Sequence, residues 1–243
     1  ELGDYDLALS LKLRSVDILE NSLGTQHHLT GLVLNDTANT YNLLADYEKS
    51  LLLFNRSLEI AKLRLGNSHP DVATIIGNIS LAYYYLGQYE TSLMLGKQSL
   101  DMLRLFYRPD HPEIARNLNN LALIYFRMGN FTVAQKLQEQ AVKIYEDNFT
   151  SNNVYFATGI AALANIYRVS GQYEKSLQLS LIALNIREKL RGPHHIETAH
   201  SLNSVAWAYN DSKQHALAVE KQLDALTIAS SELGPAHPTT ALF

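Results

Sequence analysis

A 42-residue repeat runs through the sequence and limits the possible folds more than any other feature. One column of tyrosines recurs at this spacing without an insertion: Tyr41, Tyr83, Tyr125, Tyr167 and Tyr209. A second column is dominated by aromatic residues: Tyr5, Tyr47, Tyr89, Phe131, Tyr173 and His215. A third is dominated by histidine: His27, His69, His111, Asn153, His195 and His237. Chains with such a period fold as stacked copies of one small unit, in which each copy contacts only its neighbours.

Each unit contains two stretches with the apolar spacing of an α-helix. In residues 108–149, apolar side chains of the first stretch recur every three or four positions, and Pro112 suits the first turn of a helix. Gly129 is typical of a helix end, and a second helix is predicted to start near Phe131. Alanine and serine recur at one position of each helix, which predicts that the helix axes approach closely. No stretch shows the two-residue alternation of a strand.

The sequence therefore predicts an all-α fold, a right-handed superhelical solenoid of antiparallel helix pairs with about five to six units. We predict one array over residues 1–243. Its predicted parts are the second helix of a truncated repeat at 1–23, full repeats at 24–65, 66–107, 108–149, 150–191 and 192–233, and the start of a further repeat at 234–243. Neither end has the polar character of a capping helix, so we expect a segment of a longer array or self-association through the ends.

The pattern within the units resembles a known family. The matching residues are Leu118, Leu121, Ala122, Tyr125, Gly129, Phe131, Ala134 and Ala141, which resemble the tetratricopeptide repeat (TPR), with a period longer than its usual ~34 residues. Residues 108–125 resemble the repeats of kinesin light chains most closely, and residues 65–73 and 233–238 repeat that theme. The resemblance implies that a ligand binds in a concave groove, mostly through the first helix of each pair.

Composition excludes several classes of function. The 243 residues contain no cysteine, which excludes disulfides, thiolate metal sites and cysteine nucleophiles. The net charge of -4 does not favour nucleic acid, and no apolar run approaches the ~18 residues of a membrane span. Neither a glycine-rich phosphate loop nor a Gly-x-Ser-x-Gly elbow is present. We therefore expect no enzymatic activity, no cofactor, neither nucleic acid nor membrane as a partner, and a cytoplasmic location.

Nine histidines raise the question of a metal site. His194, His195 and His200 lie close together in the sequence, but their spacing is not that of a helical zinc site. Because His195 belongs to the histidine column, we interpret it as part of a turn or a helix start and predict no metal site.

The polar residues predicted to line the groove are asparagines and arginines of the first helices. The asparagines are Asn78, Asn119, Asn120, Asn165 and Asn203. Asparagine weakens a helix relative to alanine, whereas its amide can bind the backbone of an extended peptide. The alternative is a bond to a loop of the neighbouring repeat. The arginines are Arg116, Arg127 and Arg168, which suit acidic residues of a peptide; the alternative is ordinary surface charge.

The apolar residues predicted to line the groove would hold an aromatic or aliphatic anchor of the peptide. They are Leu81, Tyr84, Tyr85, Leu123, Phe126 and Trp207. Tyr84 and Phe126 lie off the packing face set by the tyrosine column, which predicts exposure in the groove, although aromatic residues at helical spacing are more often core. Trp207 is either a ligand contact or part of the packing between repeats.

Three functions are compatible with these sequence features. The first is a non-enzymatic protein–protein interaction module that binds a short acidic and aromatic peptide in its concave groove, as the resemblance to kinesin light chain cargo adaptors implies. The alternative is a regulatory or sensor segment of a larger signalling enzyme or ATPase. A structural scaffold without a peptide site is a third possibility.

Overall fold

The computed structural model describes residues 2–149, 153–234 and 240, and within these ranges it contains eleven helices and no strand. The chain consists of two compact units, Glu1–Pro109 and Asp110–Phe243. The helices of the first unit are α1 (Leu2–Leu23), α2 (His28–Leu43), α3 (Tyr47–Leu65), α4 (Pro70–Tyr85) and α5 (Tyr89–Leu103). Those of the second are α6 (Pro112–Arg127), α7 (Phe131–Asn148), α8 (Val154–Val169), α9 (Tyr173–Arg191), α10 (Ile196–Asp211) and α11 (His215–Leu233).

The starts of these helices follow the sequence repeat. The first residues of α2, α4, α6, α8 and α10 are 42 positions apart, and so are those of α3, α5, α7, α9 and α11. In the first unit α4 packs against α3 and α5, and in the second unit α8 packs against α7 and α9. The short connections make sequential helices antiparallel. The predicted all-α solenoid of helix pairs is confirmed.

The predicted start of a further repeat at 234–243 lies outside the described residues, apart from Gly234 and Thr240, and so does His237 of the histidine column. None of the helices in the described part of the chain is both long enough and apolar enough to cross a membrane.

The histidine column begins the first helix of each pair. His111 is the N-cap of α6, where its Nδ1 accepts a hydrogen bond from the backbone N–H of Glu113 at 3.1 Å. His27, His69 and His195 cap their helices in the same way. Asn153 replaces histidine at the start of α8, and its Oδ1 accepts from the N–H of Tyr155 at 2.8 Å. Such a bond satisfies a backbone donor that has no partner within the helix. The interpretation of His195 as helix-start chemistry is confirmed.

Replacing His111 by alanine should lower the free energy of unfolding by about 1 kcal/mol, because the Glu113 N–H loses its acceptor. His111→Asn should retain most of the stability, since the chain itself uses asparagine at the equivalent position of α8. Urea denaturation of the three proteins measures both effects. A His111→Asn protein as unstable as His111→Ala would show that the imidazole acts through contacts other than the cap.

The column of small residues lies where two helices of a pair touch. Ser80 of α4 donates to the carbonyl oxygen of Ser92 in α5 at 2.7 Å, and Ser92 donates back to the carbonyl oxygen of Ser80 at 2.7 Å. At the equivalent positions of α6 and α7, Ala122 and Ala134 are fully buried. A larger side chain at these positions would separate the backbones, so the predicted role of the small residues in close packing is confirmed.

The turn within each pair needs a left-handed backbone. Gly129 ends α6 with φ of +78°, and its column contains glycine in most repeats. Ala45 and Lys213 occupy the same position with φ of +59° and +62°. Side chains disfavour this conformation, so the fold holds these two turns in place against a local preference.

Candidate functional site

A cavity of about 250 Å³ lies between α8, α9 and α10 of the second unit. Three of the residues predicted to line a groove meet at it: Asn165 and Arg168 of α8 and Trp207 of α10. The other lining residues are small, and they are Ala161, Ala162, Ser176, Ser180 and Ser204. The cavity therefore joins one aromatic wall and one basic group to a set of methyl and hydroxyl groups.

Arg168 is the charged group of this cavity, and neighbouring side chains hold it in place. Its guanidinium lies 5.4 Å from the ring centroid of Trp207, within the range of a cation–π contact. Its Nη1 lies 3.4 Å from Oδ2 of Asp211, and its Nε and Nη2 donate to Oδ1 of Asn165 at 3.3 and 3.2 Å. The positive charge thus has a carboxylate partner within the chain.

Trp207 is the exposed aromatic surface at this cavity. Its side chain is 48% exposed, whereas the column before it holds leucine at positions 81 and 123 and asparagine at position 165. Of the two alternatives stated for Trp207, packing between repeats describes part of the side chain, since its ring contacts Arg168 of the preceding repeat, while nearly half of the indole faces solvent. A ligand contact stays a prediction.

The other two predicted arginines lie at opposite ends of α6. Arg116 is in its first half and pairs with Glu113 at 2.5 Å beside a cavity of about 190 Å³. Tyr145 and Tyr155 also line that cavity, and burial raises the pKa of the Tyr145 hydroxyl. Arg127 ends the helix and is exposed, about 16 Å from Arg116 along the helix axis. The two arginines therefore do not form one basic cluster.

Several predicted asparagines are placed in helix packing. Asn78 of α4 is 8% exposed and donates from Nδ2 to Oδ1 of Asn35 in α2 at 3.0 Å. Oδ1 of Asn119 accepts from Nε2 of Gln138 in α7 at 2.9 Å. Asn203 is 6% exposed. The stated alternative, a bond to a loop of the neighbouring repeat, is not what the structure shows either: Asn78 bonds to a helix of the preceding repeat, and Asn119 bonds to the second helix of its own repeat. Asn120 and Asn165 are half-buried, and their contact with a peptide stays a prediction.

The prediction that Tyr84 is exposed is wrong. Its side chain is 6% exposed and its ring contacts those of Tyr85 and Tyr89, with centroids 5.2 and 5.8 Å away. Tyr85 is exposed and stacks on Tyr47 at 5.3 Å, and burial of part of its ring raises the pKa of its hydroxyl. Leu81 is half-buried. These residues belong to the first unit.

Phe126 and Leu123 belong to the second unit and are half-buried. The ring of Phe126 packs edge-on against Phe131, with 5.4 Å between centroids, so it closes the turn between α6 and α7. Neither side chain lines the cavity at α8–α10. Their role in binding stays a prediction.

The sequence reading missed the contribution of the second helices. Ser176 and Ser180 of α9 line the cavity, and Gln138 of α7 bridges two first helices, whereas all the predicted site residues lie on first helices. For Gln138 and Ser180 the signal in the sequence is a change of size within one column, which holds Phe54, Gly96, Gln138, Ser180 and Gln222.

No group of three or more metal-ligating side chains is assembled anywhere in the described ranges. Exposed apolar side chains do occur on the terminal helices: Leu7, Leu11 and Ile18 of α1 are more than half exposed, as are Val219 and Leu223 of α11. Self-association through these helices stays a prediction.

Comparison with known proteins supports the reading of the repeat. The tetratricopeptide repeat model matches residues 1–63, 53–105, 71–147 and 156–231. No curated protein sequence matches the chain. Among solved structures, the kinesin light chain nearly identical TPR-like repeats of Podosopora anserina are 22% identical, with a TM-score of 0.67 over 85% of this chain and 98% of that chain. BtubC (BKLC) from P. vanneervenii is 16% identical, with a TM-score of 0.74 over 96% and 94%. RapI in its apo form is 14% identical, with a TM-score of 0.66 over 83% and 70%. At these identities the likeness shows the fold.

Proposed function

Since the chain belongs to the tetratricopeptide-repeat family, we propose that it is a non-enzymatic interaction module and that it binds a short peptide at the cavity between α8, α9 and α10. Repeats of this fold generally bind protein partners and carry out no catalysis themselves. The observation that carries the proposal is the meeting of Asn165, Arg168 and Trp207 at one cavity. All three lie at positions of the first helices that the sequence predicts to line a groove.

The chemistry of the three residues suits a peptide. Tryptophan and arginine are enriched among the residues that dominate protein interfaces. The exposed half of the Trp207 indole offers a flat apolar surface for an aromatic or aliphatic side chain, and covering it with a ligand is favourable. The Nδ2 group of Asn165 is a donor suited to a backbone carbonyl, since its Oδ1 already accepts from Arg168.

Acidic residues of the peptide would contribute mainly through long-range attraction. Arg116 and Arg168 are paired with Glu113 and Asp211, so a peptide carboxylate competes with these partners. Arg127 is exposed at the end of α6. Charges at a rim raise the association rate more than they raise the affinity, and salt screens them. We propose a peptide with an anchor side chain at the cavity and acidic residues beside it.

Replacing Trp207 by alanine should weaken binding of such a peptide by about tenfold or more, as expected for a central aromatic contact. A peptide is first selected from a random display library on the 243-residue chain, and its Kd, expected near the micromolar range, is measured by fluorescence polarisation. Tyr173→Ala is the matched control, because Tyr173 is a 42% exposed aromatic residue of α9 that does not line the cavity.

Equal affinity of the wild-type and Trp207→Ala proteins would place the bound peptide elsewhere. A library that yields no specific peptide on the wild-type chain would contradict the interaction function itself.

A further inference from the structure

One position of the second helices faces the neighbouring first helices and differs in size between repeats. At intervals of 42 residues it holds Phe54 in α3, Gly96 in α5, Gln138 in α7, Ser180 in α9 and Gln222 in α11. The side chains of Phe54, Gln138 and Ser180 are nearly fully buried, with exposures of 0%, 1% and 3%. Equivalent positions of this one chain therefore show how different side chains fill the space between a second helix and the neighbouring first helices.

We call a second helix together with the two first helices beside it a layer. In the α6–α7–α8 layer, the side chain of Gln138 fills the space between the helices, and its amide group is hydrogen-bonded. Its Nε2 donates to Oδ1 of Asn119 in α6 at 2.9 Å and to the carbonyl oxygen of Gly159 in α8 at 3.0 Å. An aliphatic stem with a neutral amide at its end thus fits between two first helices of this fold.

In the α8–α9–α10 layer, the corresponding residues are smaller. Ser180 stands where α7 has Gln138, and Ala161 stands where α6 has Asn119. Both line the cavity of about 250 Å³. Part of the space that protein atoms fill in the preceding layer is therefore empty here and open to a ligand.

Two hydroxyl groups face this cavity, those of Ser176 and Ser180. The residues are 1% and 3% exposed, and within the described part of the chain neither hydroxyl makes a hydrogen bond. Because both oxygens stay accessible from the cavity, a ligand or a water molecule there can hydrogen-bond to them. Each hydroxyl can both donate and accept.

The charge balance of the cavity favours a neutral occupant. The charge of Arg168 is already balanced by Asp211, and its Nε and Nη2 also donate to Asn165. A carboxylate that enters beside this pair has to displace Asp211 or stay unpaired, and an unpaired charge in a partly buried site is costly. An amide carries no charge and matches hydroxyls that donate and accept.

We infer that the cavity between α8, α9 and α10 is the anchor pocket of the peptide site, and that it takes one uncharged, hydrogen-bonding side chain of the peptide, with glutamine as the best match. The ligand side chain would occupy the volume that Gln138 fills in the preceding layer, with its amide on Ser176 and Ser180. The inference rests on the proposed function, and it names the kind of side chain that the module selects.

The test fills the pocket with the side chain that the protein itself uses at the equivalent position of α7. Ser180→Gln restores the residue type of α7, and the new side chain should occupy the cavity. The expected result is an unfolding midpoint equal to or above that of the wild type, together with at least ~tenfold weaker binding of a library-selected peptide. Ser15→Gln is the matched control, because Ser15 is an exposed residue in the middle of α1, and it should leave both quantities unchanged.

A second experiment changes the peptide and leaves the protein unchanged. In the selected peptide, replacing the anchor glutamine by glutamate or by alanine should weaken binding to the wild-type chain by about tenfold. The same replacements should have little further effect on the Ser180→Gln protein, because the pocket is then already full.

The outcomes separate the inference from the proposed function. Peptides that bind through Trp207 but carry no preferred neutral polar residue, or that bind Ser180→Gln as well as the wild type, would overturn the anchor pocket and leave the interaction function standing. Glutamate as good as glutamine would overturn the neutral specificity. A strongly destabilised Ser180→Gln protein would contradict the geometry of the cavity, whereas the absence of any peptide ligand would contradict the proposed function.

Discussion

Replacing Phe54 by alanine should lower the free energy of unfolding of the first unit by about 4 kcal/mol, one of the two largest effects expected from a single substitution in this chain. The ring is completely buried and belongs to an apolar cluster with Ala38 of α2 and Ile76 of α4. Truncation removes apolar contacts on both first helices and leaves a cavity that helices held by short turns cannot close.

Urea denaturation followed by circular dichroism measures the loss, and hydrogen exchange shows whether α2, α3 and α4 lose protection together. Leu52→Ala is the control on the same helix, since Leu52 is 69% exposed, and it should change stability by less than about 0.5 kcal/mol. Similar losses for both variants would show that α3 contributes through helix propensity rather than through the buried ring.

Replacing Gln138 by alanine should lower the free energy of unfolding of the second unit by about 3 kcal/mol. The substitution leaves a cavity, removes two hydrogen bonds and leaves the carbonyl oxygen of Gly159 without the amide that donates to it. The carbonyl oxygen of Gly159 keeps its bond within α8, so the expected effect comes mainly from the volume of a fully buried side chain. A smaller part comes from Oδ1 of Asn119, which loses its donor.

The control for this variant is Gln140→Ala, two residues away on the exposed face of α7. It should be nearly neutral, because alanine is the better helix former and no buried contact is lost. Hydrogen exchange of α6 and α8 should rise in Gln138→Ala alone. A nearly neutral Gln138→Ala protein would mean that the layer closes around alanine or admits a water molecule in place of the amide.

The fold could be predicted from the sequence because its local features are short-range. Pro112 and His111 mark a helix start, and Gly129 marks an end with a left-handed turn, so a handful of neighbouring residues sets these bounds. The period then transfers the same bounds to the other repeats, which is why the predicted second-helix start at Phe131 is confirmed.

The exposure of individual side chains was harder to predict, and Tyr84 shows why. A helix packed on one side buries one face, but α4 lies between α3 and α5, so ten of its sixteen residues are buried. A residue that lies off the tyrosine face therefore still meets a neighbour, here Tyr89 of the next helix. Sequence spacing predicts the direction in which a side chain points from the helix. It does not predict how much of the helix surface the neighbouring helices bury.

Only those residues of the candidate site that lie on first helices could be predicted from the sequence. Asn165, Arg168 and Trp207 follow from register, whereas the cavity exists because of what Ser180 and Ala161 do not fill. An empty volume has no pattern of its own in a sequence. A cavity can be inferred only by comparing the sizes of side chains at equivalent positions of the repeats. That comparison requires knowing that the second helix of one repeat packs against the first helix of the next.

The column of Phe54, Gln138 and Ser180 has a consequence for how such arrays acquire new ligands. Because the backbone of each helix pair is set by caps, turns and small contact residues elsewhere, substitutions at this position of the second helix and at the facing position of the first helix change how much of the space between helices is filled. Duplicated repeats of this kind can thus change the ligands that they bind one layer at a time. Introducing serine into a filled layer would create a second binding cavity, and the loss of stability would be confined to that layer.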